Sequence, residues 1–114
     1  MAMPDLDLLQ GTLDLLVLRA LSFGPRHGYA VARFIHDSSG DAFTILDGAL
    51  YAALHRLEAR KAVTAAWGLS DKGKRAKFYH LTDRGRRELK GQAVTWSRYA
   101  KAVHAVLTAV PQDR

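Results

Sequence analysis

The chain has no cysteine. That excludes disulfide frameworks, thiolate metal sites and thiol nucleophiles together, and nothing argues for an oxidising compartment. Long apolar runs are missing too. The longest, LLVLRAL from Leu15 to Leu21, is interrupted by Arg19 and falls far short of the roughly 20 residues that a membrane-spanning helix requires. The N-terminus has no basic region ahead of an apolar core, so a soluble, unprocessed cytoplasmic protein is expected. Catalytic signatures are equally thin. There is no G-x-S-x-G elbow. Gly68 to Arg75, GLSDKGKR, nearly completes a phosphate-binding loop, but Arg75 stands where a hydroxyl residue would hold Mg²⁺, and an extended run follows rather than a helix. The five histidines, His27, His36, His55, His80 and His104, form no i, i+4 pair and have no carboxylate at ligand spacing. No enzymatic activity, metal or cofactor is expected.

At 114 residues with 48% hydrophobic and 25% charged content, the chain reads as one ordinary globular domain. Its net charge of +6 is unevenly spread. Residues 1–50 hold Arg19, Arg26 and Arg33 against six aspartates, net −3, whereas residues 51–114 hold fourteen basic and five acidic side chains, net +9. Within the basic half, residues 70–87 carry Lys72, Lys74, Arg75, Lys77, Arg84, Arg86 and Arg87 against only Asp71 and Asp83. Such a one-sided run is the footprint of a polyanion partner when it lies beside a suitable helix.

That helix is predicted over GALYAALHRLEARKAV, Gly48 to Val63. Leu50, Ala53, Leu54 and Leu57 fall at i, i+3, i+4 and i+7 and make one buried stripe. On the other side Gly48, Ala52 and Ala59 leave the backbone bare, with Tyr51, His55 and Arg56 standing beside it. Before it, a tail over 1–7 gives way to a first helix over about 8–22, stopped by Gly24 and Pro25. Leu13, Leu15, Leu16, Val17, Leu18 and Leu21 spread round that helix, so it demands cover on more than one side, and a partner subunit is the simplest source. A second helix is predicted from Gly28 to Ser39, ended at Gly40, and Asp47 is a plausible N-cap for the third.

From Lys61 the pattern turns extended. VTAAW (Val63–Trp67) and KFYHL (Lys77–Leu81) flank a basic loop and read as a hairpin. Thr82 is a good N-cap, with Asp83 an acidic first-turn residue, for a last helix reaching Val110 before Pro111. The expected fold is mainly α with a small β-hairpin: a winged helix-turn-helix over 8–81, a C-terminal dimerisation helix over 82–110, and a tail over 111–114. The third helix then enters the major groove of double-stranded DNA. Gly48 and Ala52 allow close approach, Tyr51, His55 and Arg56 contact bases or phosphates, and Lys72, Lys74, Arg75 and Lys77 of the wing neutralise the backbone. A core tyrosine at the helix–wing junction is the alternative for Tyr51.

Leu89, Ala93, Trp96, Ala100, Val103, Leu107 and Val110 are spaced 4, 3, 4, 3, 4, 3, the alternation of a coiled-coil seam, and Tyr99 and Val106 widen the stripe. Gly91 weakens the helix locally. A homodimer is expected, sealed by this stripe together with Leu13 and Val17 of the first helix. Trp96 is large for a seam position. Ala93 and Ala100, one turn to either side, leave space above and below its indole for a planar aromatic effector.

LLQGTLDLLVLRAL (Leu8–Leu21), GPRHGYAVARFI (Gly24–Ile35), GALYAALHRLEAR (Gly48–Arg60), AAWG (Ala65–Gly68) and RAKFYHLTDRGRREL (Arg75–Leu89) together resemble the PadR family of bacterial transcriptional regulators over about residues 8–107. The resemblance implies a winged helix-turn-helix whose C-terminal helix dimerises, on pseudo-palindromic operators, generally as a repressor released by a small molecule. The short C-terminal part resembles the compact subgroup with a single dimerisation helix, some members of which hold flat hydrophobic compounds between paired tryptophans. One departure is Ala52, where relatives commonly carry proline after the tyrosine; its absence frees a backbone N–H. The competing reading is a winged-helix architectural or protein-interaction module without an effector.

Overall fold

The computed structural model describes residues 8 and 11–112 of the chain; the tail expected over 1–7, and residues 9, 10, 113 and 114, lie outside the described residues. Four helices and three strands follow in the order α1 (Thr12–Leu21), β1 (Arg26–His27), α2 (Gly28–Ser38), α3 (Asp47–Ala59), β2 (Val63–Leu69), β3 (Arg75–Leu81) and α4 (Asp83–Leu107). The strands form an antiparallel sheet in the order β1-β3-β2.

α1 is the centre of the head. It packs against α2, α3, α4 and β3 of its own chain, which cover much of its apolar circumference, while Leu13, Leu15 and Leu16 stay partly exposed. Val17, expected at a dimer interface, is instead fully buried in this core with Leu18, Leu21, Val31, Ile35, Leu50, Leu54, Leu57, Val63 and Tyr79. Leu13 packs against the edge of the same cluster. The stripe expected on α3 is the one buried: Leu50, Ala53, Leu54 and Leu57. Asp47 does not cap α3. It is the first helical residue, after Leu46 in extended geometry with no side-chain cap bond, and its charge still complements the positive helix end.

The wing is longer than its propensities suggest. β2 pairs with β3 from Val63↔Leu81 to Leu69↔Arg75, because a five-residue tip closes tightly: Ser70 N–H donates to the Lys74 carbonyl at 2.8 Å, Gly73 N–H to the Ser70 carbonyl at 2.8 Å, and Gly73 takes φ +74°. Cross-strand pairing then holds Gly68, Leu69, Arg75 and Ala76 extended although their intrinsic preference is weak. β1, absent from the sequence reading, adds a two-residue edge through Arg26↔Tyr79 and His27↔Phe78.

Thr82 caps α4 as expected: its Oγ1 accepts from Gly85 N–H at 3.0 Å. The same hydroxyl donates toward the carbonyls of Lys61 (2.8 Å) and Ala62 (2.9 Å), so the cap also ties α4 to the base of the wing. α4 ends at Leu107 with Thr108 as its C-cap, three residues before Val110, which is exposed beyond the helix. At 25 residues and about 1.5 Å per residue it is about 38 Å long.

Two glycines of α4 should respond oppositely to alanine. A Cβ on Gly85 collides with the backbone carbonyl of Ala62 and the Leu81 side chain, whereas one on Gly91 meets nothing within 4 Å. Thermal unfolding should therefore show Gly85→Ala destabilised by about 2–3 kcal/mol and Gly91→Ala stabilised by about 0.5–1 kcal/mol. Equal effects would mean that the α4 start is not wedged under the wing.

Candidate nucleic-acid interface

The outward face of α3 carries Gly48, Ala49, Ala52, His55, Arg56 and Ala59, all exposed, with Tyr51 at 42% exposure. Ala52 falls in the second turn, where the helix is regular. Small residues let the backbone of this helix come close to a flat partner, and His55 stands exposed beside them.

Tyr51 reaches sideways rather than into the core. Its hydroxyl lies against Gly28, the first residue of α2, so closely that a Cβ there would stand 2.7 Å from the phenolic oxygen. α2 is opened by His27, whose Nδ1 accepts from Ala30 N–H at 3.2 Å and whose ring meets Phe78 edge-on at 5.5 Å. The start of α2 and the phenol thus meet at one spot, at Gly28.

A groove of about 900 Å³ continues from that spot to the wing, lined by Tyr29, Arg33, Tyr51, Trp67, Lys72, Arg75 and Lys77 among others. Its cations are not equivalent. Lys72 and Lys74 are exposed on the wing tip and make no ion pair among the described residues. The Arg75 guanidinium stacks 4.6 Å from the Trp67 ring centre, and the half-buried Lys77 lies 5.8 Å from the Tyr79 ring. Burial raises the pKa of that tyrosine, with Glu58 and Tyr51 adding to it. Arg33, from the acidic half of the chain, is held by Asp37 at 3.1 Å, and its Nη1 is 3.5 Å from the Tyr29 hydroxyl. Neither Tyr29 nor Arg33 is among the expected contact residues, and Tyr29, which the helical spacing places inward with Val31, Ala32, Phe34 and Ile35, is instead 69% exposed.

Arg56 departs from the expectation of a free reading side chain. Its Nη2 donates to Asp14 Oδ1 at 2.7 Å and its Nε to Oδ2 at 3.3 Å, and the first of the causes raising its pKa is this hydrogen bonding. Arg60 donates to the same carboxylate at 3.1 Å and to Glu88 Oε1 at 2.8 Å. Burial opposes the charge on Arg60, but the two carboxylates outweigh it and its pKa rises. Asp14 is 8% exposed. A carboxylate inside an apolar helix must find a cation, and that rule was the sequence signal for the pair.

The remaining expected positions lie on α4. Leu89 packs against the head core, while Trp96 (44%), Tyr99 (57%), Val103 (42%), Val106 and Leu107 are exposed. Trp96 borders a groove of about 700 Å³ between α4 and the start of α1, shared with Thr12, Leu15, Thr95 and Tyr99. Ala93 and Ala100, expected above and below the indole, are not in its wall. The histidines need one correction: His36 Nδ1 lies 3.3 Å from Oδ1 of Asp37, its neighbour on α2, and 3.5 Å from Oδ1 of Asp41, which a turn at Gly40 and Asp41 brings alongside.

A three-helix head with a basic wing and a bare third helix defines a winged helix-turn-helix DNA-binding regulator. Residues 17–91 match the model of the Transcriptional regulator PadR-like family, and the chain belongs to that family, whose members regulate transcription rather than catalyse reactions. It is 32% identical over 98 residues to the "Uncharacterized protein X" of Lysinibacillus sphaericus, covering 85% of this chain and 89% of that one. A 37.1 kDa protein of transposon TN4556 from Streptomyces fradiae is 39% identical over 100 residues, 88% of this chain but 27% of its own. Among solved structures, a PadR family transcriptional regulator from Eggerthella lenta aligns at TM-score 0.74 and 30% identity over 89% of this chain and 86% of that one. A PadR family regulator from Clostridium difficile gives 0.74 and 25% over 85% and 99%.

The Tyr51–Gly28 contact can be tested directly. Gly28→Ala should displace the phenol, a flexible side-chain end, and leave the fold intact by circular dichroism. DNA affinity should fall by about tenfold, the loss of one charge-assisted contact. An unchanged affinity would remove Tyr51 and the α2 N-terminus from the interface.

Proposed function

We propose that the chain works as a homodimer that binds a pseudo-palindromic operator through two copies of α3, represses transcription from it, and is released by a flat aromatic effector bound beside Trp96. The observation that carries this reading is the stripe of Trp96, Tyr99, Val103 and Leu107 left exposed along α4, on a chain whose head already buries its own core. Contiguous exposed apolar side chains at this spacing favour a second copy of the same helix. A two-fold pairing presents two reading helices, which must enter major grooves about 34 Å apart. An effector that changes the pairing angle changes that spacing and so operator affinity.

Light scattering after size exclusion at micromolar concentration should give twice the chain mass; the mass of one chain would overturn the dimer. Selection from random duplexes should yield a palindrome. On it, replacing Lys72 and Lys74 with alanine should weaken binding to selected and unrelated duplexes alike and lower the salt slope by roughly one to two. His55→Ala should instead change the preferred bases. The reverse pattern would exchange the roles of wing and helix.

A further inference from the structure

The outer face of α4 holds a second set of cations that neither the reading helix nor the wing uses. From Arg84 to Gln112 there are six lysines and arginines against one acid, Glu88, and that acid is taken by Arg60. Arg84, Arg86, Arg87, Lys90, Arg98 and Lys101 are all exposed, and none forms an ion pair among the described residues. A helix that is merely solvated intersperses both signs. Here Arg86 and Lys90 stand at i, i+4, and Arg87–Lys90 and Arg98–Lys101 at i, i+3, like-charge neighbours that weaken the helix. Arg84, Arg86 and Arg87 also crowd its first turns, where the positive end of the helix dipole disfavours them. An anion docked from outside relieves both costs.

At about 100° per residue, Arg87, Lys90, Arg98 and Lys101 fall on one side of α4, opposite Trp96, Tyr99, Val103 and Leu107. Pairing two copies through the apolar stripe therefore leaves these cations outward. Arg98 follows Arg87, and Lys101 follows Lys90, by eleven residues, about 16 Å along the axis. Between the two pairs that side presents only Gly91, Val94 and Ser97, small enough for a close approach. The major groove of B-DNA is about 12 Å wide between its phosphate rims, so one pair reaches each rim. A protein partner needs an apolar centre to the patch, which Val94 alone does not make, whereas a polyanion needs only the charge.

We propose that this face of α4 holds a second DNA duplex, with the helix lying across its major groove and gripping phosphates without regard to sequence. The protein then bridges two DNA segments: α3 and the wing hold the operator, and α4 holds the other. The bridge needs no effector and is formed by each chain separately.

The selected operator on beads, loaded with protein at about 50 mM salt, should retain a labelled short duplex of unrelated sequence. Retention per protein held should fall with salt at a log–log slope of roughly three to four, as for four phosphate contacts. Arg87→Gln, Lys90→Gln, Arg98→Gln and Lys101→Gln together keep helix propensity and side-chain reach. They should lower retention by about tenfold or more, with operator affinity within about twofold and an unchanged circular dichroism spectrum.

No retention by the unsubstituted protein overturns the proposal. Retention kept by the glutamine variant but lost with Lys72→Ala and Lys74→Ala also overturns it, and gives the bridge to the two heads of a dimer. Weaker operator binding by the glutamine variant, with a shallower salt slope, overturns it by placing the four cations on the operator itself. If poly-L-glutamate binds through these cations and no second duplex does, the partner is an acidic polypeptide and not DNA.

Discussion

The placement of α3 depends on one carboxylate. Apolar contact between Leu50, Leu54, Leu57 and the side chains of α1 holds the two helices together, but such contact has little directional preference. Asp14 adds the direction. Buried on α1, it cannot stay charged without partners, and it takes Arg56 through two hydrogen bonds and Arg60 through a third. Arg56 lies on α3 and Arg60, four residues later, is its C-cap, so both stand on one side of the helix end, and a single buried acceptor fixes its rotation. Because Arg60 also holds Glu88, the rotation of α3 is referred to α4 as well. The clamp has a consequence for the open face: with Arg56 engaged, its polar character rests on His55 and Tyr51.

The uneven charge along the sequence carries through to the fold. The first half is net acidic, yet β1 and the start of α2 bring His27, Tyr29 and Arg33 into the groove that ends at the wing lysines. The acids of that half are turned to other uses. Asp14 is spent on the clamp and Asp37 on Arg33 and His36, and Asp37 is held below the usual carboxylate range first by His36 and then by Arg33. Because Asp37 lines the same groove and offsets Arg33, this half adds polar and aromatic surface to the groove, and the groove's positive charge comes chiefly from the wing.

What was legible in the sequence was what repeats. The α3 stripe follows a 3.6-residue period, and the Thr82 cap is a local signal whose partner, Gly85, is three residues away. The illegible parts are non-local or too short to have a period. β1 has two residues and exists because β3 offers an edge. The Arg56–Asp14 pair spans 42 positions, so nothing near Arg56 reports that its charge is taken. Val17 was misplaced for a related reason: an all-round apolar helix shows that cover is needed but not whether the same chain supplies it. Ala93 and Ala100 were chosen by spacing along α4, whereas the wall facing Trp96 comes partly from α1.

α4 joins both ends of the proposed mechanism in one piece. At its start Gly85 fits beneath the Ala62 carbonyl and Thr82 bonds the same strand base, so the helix cannot turn there without moving the wing. Glu88, one turn on, is tied to α3, and only beyond it does the exposed apolar stripe begin. In the proposed dimer the axis lies along that stripe, some way from the DNA. Over a helix of about 38 Å, a tilt of about 5° displaces the far end by roughly 3 Å. A ligand lodged at Trp96, between the fixed start and the paired remainder, acts where a small angle is converted into a shift of each reading head relative to its groove.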